Sequence, residues 1–287
     1  MRRLFIEHLT TYRYRNPVTL LPHRLLIRPR EGHDIWIESA EFDIVPAYRL
    51  LWQRDVYDNS LAEISFLEPT RLLSIGSRVM IRHYQHRPLD FLVADHAVWF
   101  PFEYDPFERL DLGAYLAPVF VHDQDQVRAW LRRFWRAGQV VETYVLLDAI
   151  NHAIAEEFDY RPREEPGVQT PAVTLEKQAG SCRDFATLFI EACRCLGLAA
   201  RFASGYLFSP DPEPKQGSTH AWSEVYLPGA GWKGFDNTSG LIVGHDHIPT
   251  AVNRHPEAVP PVAGAFIGPA AESPLMVVWV RVTEQAP

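Results

Sequence analysis

The chain has 287 residues, 47% hydrophobic and 22% charged, enough apolar material for one or two well-packed domains. A net charge of −8, with no basic run interleaved with aromatics, argues against nucleic acid or an anionic membrane as partner. No segment approaches the ~18 to 20 apolar residues of a membrane span, and "MRRLFIEHLTTYRYR" lacks a signal-peptide core, so a cytoplasmic location is expected.

Residues 1–85 read as a β-rich N-terminal domain. "LFIEHLTTYRYR" is rich in strand formers, and in "ESAEFDIVP" Ala40, Phe42 and Ile44 alternate with Glu41 and Asp43. "YRLLWQRDVYDNSLAEISF" reads as two strands about a turn at residues 57–60, and "SRVMIRHYQ" as another. Residues 86–122, rich in proline and aromatics, read as an ordered connector.

Helical spacing begins in the segment 123–287, read as the catalytic domain. Val127, Trp130, Leu131 and Phe134 fall at i, i+3, i+4, i+7, with Asp123 placed to cap the helix and Gly138 to stop it. A second helix spans residues 142–157. A third begins at Ser181, where Phe185, Leu188, Phe189, Ala192, Cys193 and Leu196 form an apolar stripe ending before Gly197. Strands follow at "LAARFASGYLFS", "THAWSEVYL", "WKGFDNT" and "SPLMVVWVRVTE".

The stretch "GSCRDF" sets a thiol where the third helix starts. Ser181 and Asp184 form a Ser-x-x-Asp capping box, which makes Cys182 the first helical residue. A helix N-terminus carries about half a positive charge and unbonded N–H groups, which favour a thiolate and an oxyanion beside it. The bland alternative is a small residue filling a helix start. Cys193 lies on the apolar stripe and reads as core, and Cys195 as structural. Three clustered cysteines make no disulfide framework, which fits a reducing compartment.

A nucleophilic cysteine needs a base, and the base an orienter. His220 shares a strand face with Trp222, Glu224 and Tyr226, and Asp236 lies on the strand that the "PGAG" turn folds back. If Leu227 pairs with Trp232, Asp236 faces away from His220; a shift of one residue, or a bulge, brings both to one face. Glu224 reads as a hydrogen-bond or ion-pair partner. "GHDHIP" places His245 and His247 two apart, but no further zinc ligands follow at a usual spacing, so it reads as a polar turn leading into a strand.

"GSCRDFATLFIEACRCLGLAARFASGYL" followed by "THAWSEVYLPGAGWKGFDNTSG" resembles the bacterial transglutaminase-like family of cysteine proteases. "HLTTYRYRNPVTLLPHRLLIRPR" is similar to the β-rich N-terminal domain of such proteins. The resemblance implies an α+β, papain-like core, with Cys182 as nucleophile, His220 as base and Asp236 as orienter. It implies a thiol-dependent amide hydrolase or acyl transferase acting on a peptide or protein through a thioester, with amide ligases as pathway partners. The rival reading is a non-catalytic peptide-binding or scaffold protein on the same fold. Two stretches depart from the family, Asp236-Asn237-Thr238-Ser239 and Asn253-Arg254-His255-Pro256. Neither touches the three residues. No calcium loop is present, and no metal or other cofactor is expected.

Overall fold

Period-two alternation near the start of the chain is realised as six strands: β1 (Arg2–Leu20), β2 (His23–Leu25), β3 (Ile35–Val45), β4 (Tyr48–Arg54), β5 (Ser60–Phe66) and β6 (Thr70–His83). The computed structural model describes residues 1–84, 87–163, 165–209, 219–269 and 272–285. Asp55 makes the turn between β4 and β5, its carboxylate accepting the Tyr57 and Asn59 N–H groups. Then come β7 (Trp99–Phe100), α1 (Pro106–Asp111), α2 (Gly113–Leu116), α3 (Gln124–Leu131), β8 (Val141–Glu142) and α4 (Thr143–Glu157). Next are β9 (Asp159–Tyr160), α5 (Pro171–Lys177), β10 (Ala179–Gly180) and α6 (Cys182–Cys195). Strands β11 (Ala200–Leu207), β12 (His220–Leu227), β13 (Gly231–Phe235) and β14 (His247–Asn253) follow. The chain ends in β15 (Val262–Ala263), β16 (Phe266–Ile267) and β17 (Leu275–Gln285).

The N-terminal half is two sheets sharing a core. One has the order β16-β1-β6-β3 with β17 also on β1, and the other is β15-β2-β5-β4. Tyr14, Val18, Ile44, Leu73 and Ile75 from the first meet Leu25, Ala62 and Ile64 from the second. The closing strand was grouped by sequence with residues 123–287. It instead pairs with β1 from Arg3↔Gln285 to Arg13↔Leu275, and β15 and β16 pair with β2 and β1. β1 offers a hydrogen-bonding edge there, and Val280 buries on the cluster of Leu4, Ile6 and Ile81.

The second half is an antiparallel sheet, β13-β12-β11-β14, against which α6 packs. Phe185, Leu188, Phe189, Ala192 and Cys193 meet Ala221, Val225, Leu227 and Phe235 in one core. Full burial of each large side chain there contributes about 1.5–3 kcal/mol. The helix is enclosed beyond its stripe, since α3, α4 and α5 also contact it. Its buried polar residues are therefore paired: Arg194 and Glu191 meet at 2.6 Å, and Glu191 accepts the Val119 and Phe120 N–H groups. α3 stops at Leu131, short of Phe134, and Asp123 makes no side-chain cap; its carboxylate accepts the Ala172 N–H of α5 instead.

The halves are joined by buried contacts. Tyr206 of β11 donates its hydroxyl to the Ile27 carbonyl at 2.9 Å and contacts His8 of β1. Asn59 bonds both the N–H and C=O of Val252 on β14. Among the described residues no helix is long and apolar enough to cross a membrane.

Candidate active site

Cys182 is the first residue of α6, as the capping box predicts. The acidic half of that box is made: the Asp184 carboxylate accepts the Ser181 N–H at 2.8 Å and the Ser181 hydroxyl at 2.9 Å. Burial alone would raise the Asp184 carboxyl. Hydrogen bonds from Ser181 and Gln169, with Arg163 at 2.8 Å, hold it below the usual carboxylate value. The negative charge beside the thiol is thus already neutralised by Arg163. Gly180 precedes the cap because a Cβ there would come within 2.8 Å of Asp184.

The register of the β12–β13 hairpin decides whether base and orienter can meet. Tyr226 pairs with Trp232 and Leu227 with Gly231, one residue from the pairing that would separate them. Continuing that register past Ser223↔Phe235 sets Asp236 across from Trp222, on the face that His220 shares. The turn closes this way with Gly229 and Gly231 at φ of +81° and +74°, values that glycine adopts without strain.

His220 Nε2–H then donates to Asp236 Oδ2 at 3.0 Å. Nδ1 is left as the ring nitrogen for Cys182, whose sulfur lies near enough to raise the imidazole. Cys182, His220 and Asp236 are all mostly enclosed, with His220 keeping 12% of its side chain exposed. Burial pushes the His220 imidazole down, but the Asp236 hydrogen bond and the Cys182 contact outweigh it and hold it up at about 10. For Asp236, burial is outweighed by donors from His220 and His247, which hold the carboxyl well below the usual range. The arrangement favours an imidazolium between an anionic carboxylate and a sulfur.

Of two further residues at this place, sequence reasoning passed over Tyr160 and set His247 aside as part of a polar turn. Tyr160, on β9, lies beside the Cys182 sulfur. Burial, then the neighbouring sulfur, pushes its phenol up to about 12. It arrives through a two-residue parallel bridge in which Tyr160 pairs with Gly180, just ahead of the cap. His247 donates Nε2–H to the same Asp236 Oδ2 at 3.1 Å. The polar turn expected at "GHDHIP" is there for His245, which stays near the surface, but His247 turns inward to Asp236.

Other candidates fall elsewhere. Glu224 pairs with Arg201 at 2.7 Å. Burial pushes the Cys193 thiol far up and that of Cys195 up to about 11. Asn237, one of the departures from the family pattern, is a core residue: it accepts from Ser223 and donates to Asn151, each at 2.8 Å.

His220, Asp236 and His247 offer ligand atoms within 4.8 Å of one another, a spacing compatible with a divalent cation. A ligating histidine keeps a proton on its other nitrogen and donates it to an acceptor. His247 Nδ1 instead faces the Gly244 N–H at 3.4 Å, so this nitrogen is the acceptor and Nε2 carries the proton. That tautomer, assigned from the hydrogen-bond network, suits donation to Asp236 and opposes metal ligation. Behind this cluster lies a cleft of about 540 Å³ between the two halves, lined by His33, Asp34, Trp222, Lys233 and His247 among others.

Two family models match the chain. The transglutaminase-like superfamily core matches residues 137–237, and the bacterial transglutaminase-like N-terminal region matches residues 4–82. An uncharacterized protein of Mycobacterium tuberculosis is 30% identical over 288 residues, covering 91% of this chain and 87% of that protein. An uncharacterized protein of Mycobacterium leprae is 23% identical over 273 residues, covering 93% and 94%. A crystal structure from Cytophaga hutchinsonii, described as a "Putative Cysteine Protease", has a TM-score of 0.76 at 19% identity and covers 100% of this chain and 91% of that one. That likeness is one of fold.

Proposed function

Since the chain belongs to the transglutaminase-like superfamily, with the bacterial N-terminal region before its core, we propose that it is a thiol-dependent amide hydrolase or acyl transferase working through Cys182, His220 and Asp236. The observation that carries this reading is the line of contacts from the Cys182 thiol through His220 to Asp236.

In the proposed reaction His220 Nδ1 takes the Cys182 proton, and Sγ attacks the carbonyl carbon of a peptide or protein amide. The carbonyl π pair moves to oxygen. The resulting oxyanion meets the Cys182 N–H, which has no acceptor within the helix, and the Tyr160 hydroxyl beside the sulfur. His220 then gives its proton to the leaving amine as the C–N bond breaks, leaving a thioester. Attack by water releases acid, and attack by a primary amine forms a new amide; in both, His220 accepts the proton of the incoming nucleophile and returns it to sulfur. Asp236 holds the Nε2–H tautomer and stabilises the imidazolium throughout.

An activated ester such as p-nitrophenyl acetate tests this reading. The wild-type protein should gain an acetyl adduct on Cys182, read by intact-mass and peptide-mapping mass spectrometry, and Cys182→Ala should gain none. An equal adduct on Cys182→Ala would end the proposal. Adding a primary amine separates the two outcomes, since amide product marks transfer and free acid marks hydrolysis.

A further inference from the structure

We infer that His247 is a positioning residue for Asp236, so that the functional line has four side chains, running from Cys182 through His220 and Asp236 to His247. This rests on the reading of the first three given above.

Three donors fix the Asp236 carboxylate. Thr238 N–H reaches Oδ1 at 3.0 Å, while His220 and His247 converge on Oδ2 at 3.0 and 3.1 Å. The Thr238 bond is local, two residues along the chain, and a carboxylate held by it alone can pivot about that contact. His247 supplies the second fixed point. It comes from β14, at the far edge of the sheet from β13. Its own ring is fixed in turn: Gly244 N–H faces Nδ1, and the Trp222 indole meets it edge-on with centroids 5.3 Å apart. His83 of β6 approaches its backbone from the N-terminal half. With Nδ1 facing the Gly244 N–H, Nε2 is the nitrogen that presents its proton to Asp236. Sharing Oδ2 between two N–H groups also leaves that oxygen less able to take the proton from His220.

The side chain borders the cleft between the halves, which leaves room for substitutes. A glutamine amide nitrogen reaches about as far as Nε2, an asparagine amide falls short of Asp236, and leucine has no donor. Because no substrate is identified, iodoacetamide is the probe. The rate of Cys182 alkylation at neutral pH, followed by peptide mapping, reports how well His220 supports the thiolate without reference to substrate binding. His247→Leu and His247→Asn should label Cys182 about 10- to 100-fold more slowly than wild type, the range for losing a hydrogen bond to a charged group. His247→Gln should return close to the wild-type rate.

Wild-type labelling in folded His247→Leu would overturn the inference. So would His247→Gln as slow as His247→Asn, because the side chain would then act by bulk and not by its N–H. Thermal melts identify variants that do not fold, and the Asn–Gln contrast decides the matter if the leucine variant is one of them. The underlying reading fails separately: there, wild-type Cys182 labels no faster than Cys195 and the activated ester leaves no adduct.

Discussion

Replacing Asp236 by Asn removes one charge from a buried line of side chains and leaves its shape nearly intact. In the wild-type protein burial pushes the His220 imidazole down from its ordinary value of 6.5, and the Asp236 hydrogen bond with the Cys182 contact lifts it to about 10. At about 1.36 kcal/mol per unit, the net preference for the charged ring is on the order of 5 kcal/mol. Asparagine supplies no negative charge, which leaves only the Cys182 contact to oppose burial, so the imidazole should fall well below about 10. NMR of protein labelled with ¹⁵N-histidine follows the ring nitrogens directly. The wild-type ring should stay protonated well above 6.5, and the Asp236→Asn ring should lose its proton at a clearly lower pH than the wild type. Stability gives a second reading. The folded-state value lies above the unfolded one, so the stabilisation is complete below 6.5 and is lost as pH rises toward about 10. Urea midpoints of the wild type should fall across that window, and those of Asp236→Asn should lose this contribution. A wild-type His220 that titrates near 6.5, or a variant that titrates with it, would refute the reasoning.

Tyr160→Phe should slow acylation by the activated ester by about 10²-fold, the low end of the loss for one oxyanion donor, and leave iodoacetamide labelling of Cys182 close to wild type. Equal effects on the two reactions would mean that the hydroxyl serves the thiol and not the oxyanion. Arg194→Ala strands the Glu191 carboxylate and removes bonds to the Tyr115, Ala200 and Arg254 carbonyls, so chemical denaturation should show a loss of about 3–5 kcal/mol. A loss under about 1 kcal/mol would place that pair with ordinary surface ion pairs.

The parts legible in the sequence are those whose signals are local. The stripe from Phe185 to Cys193 and the Ser181–Asp184 box sit within one helix, so spacing alone located α6 and put Cys182 at its start. The hairpin was equally visible, but its parity was not. Pro228, Gly229 and Ala230 permit more than one pairing, and only the folded turn sets Asp236 on the His220 face. Tyr160 carried no local signal because its placement depends on a bridge of two residues. His247 was hidden for a related reason: it reaches Asp236 from β14, which pairs with β11 and carries no turn signal linking it to β13. The partner of β17 was beyond local reading as well, since its match to β1 joins residues almost the whole chain apart.

That last pairing has a consequence for how the protein is made. On the ribosome β1 emerges early and the strand that closes its second side emerges late, after all of α6 and the sheet carrying His220. Until then the nascent N-terminal half exposes an open row of backbone donors and acceptors, a template for another chain to add to. Fragments ending before residue 275 should therefore self-associate even when the half carrying Cys182 and His220 has folded, because β17 is what covers that side of β1.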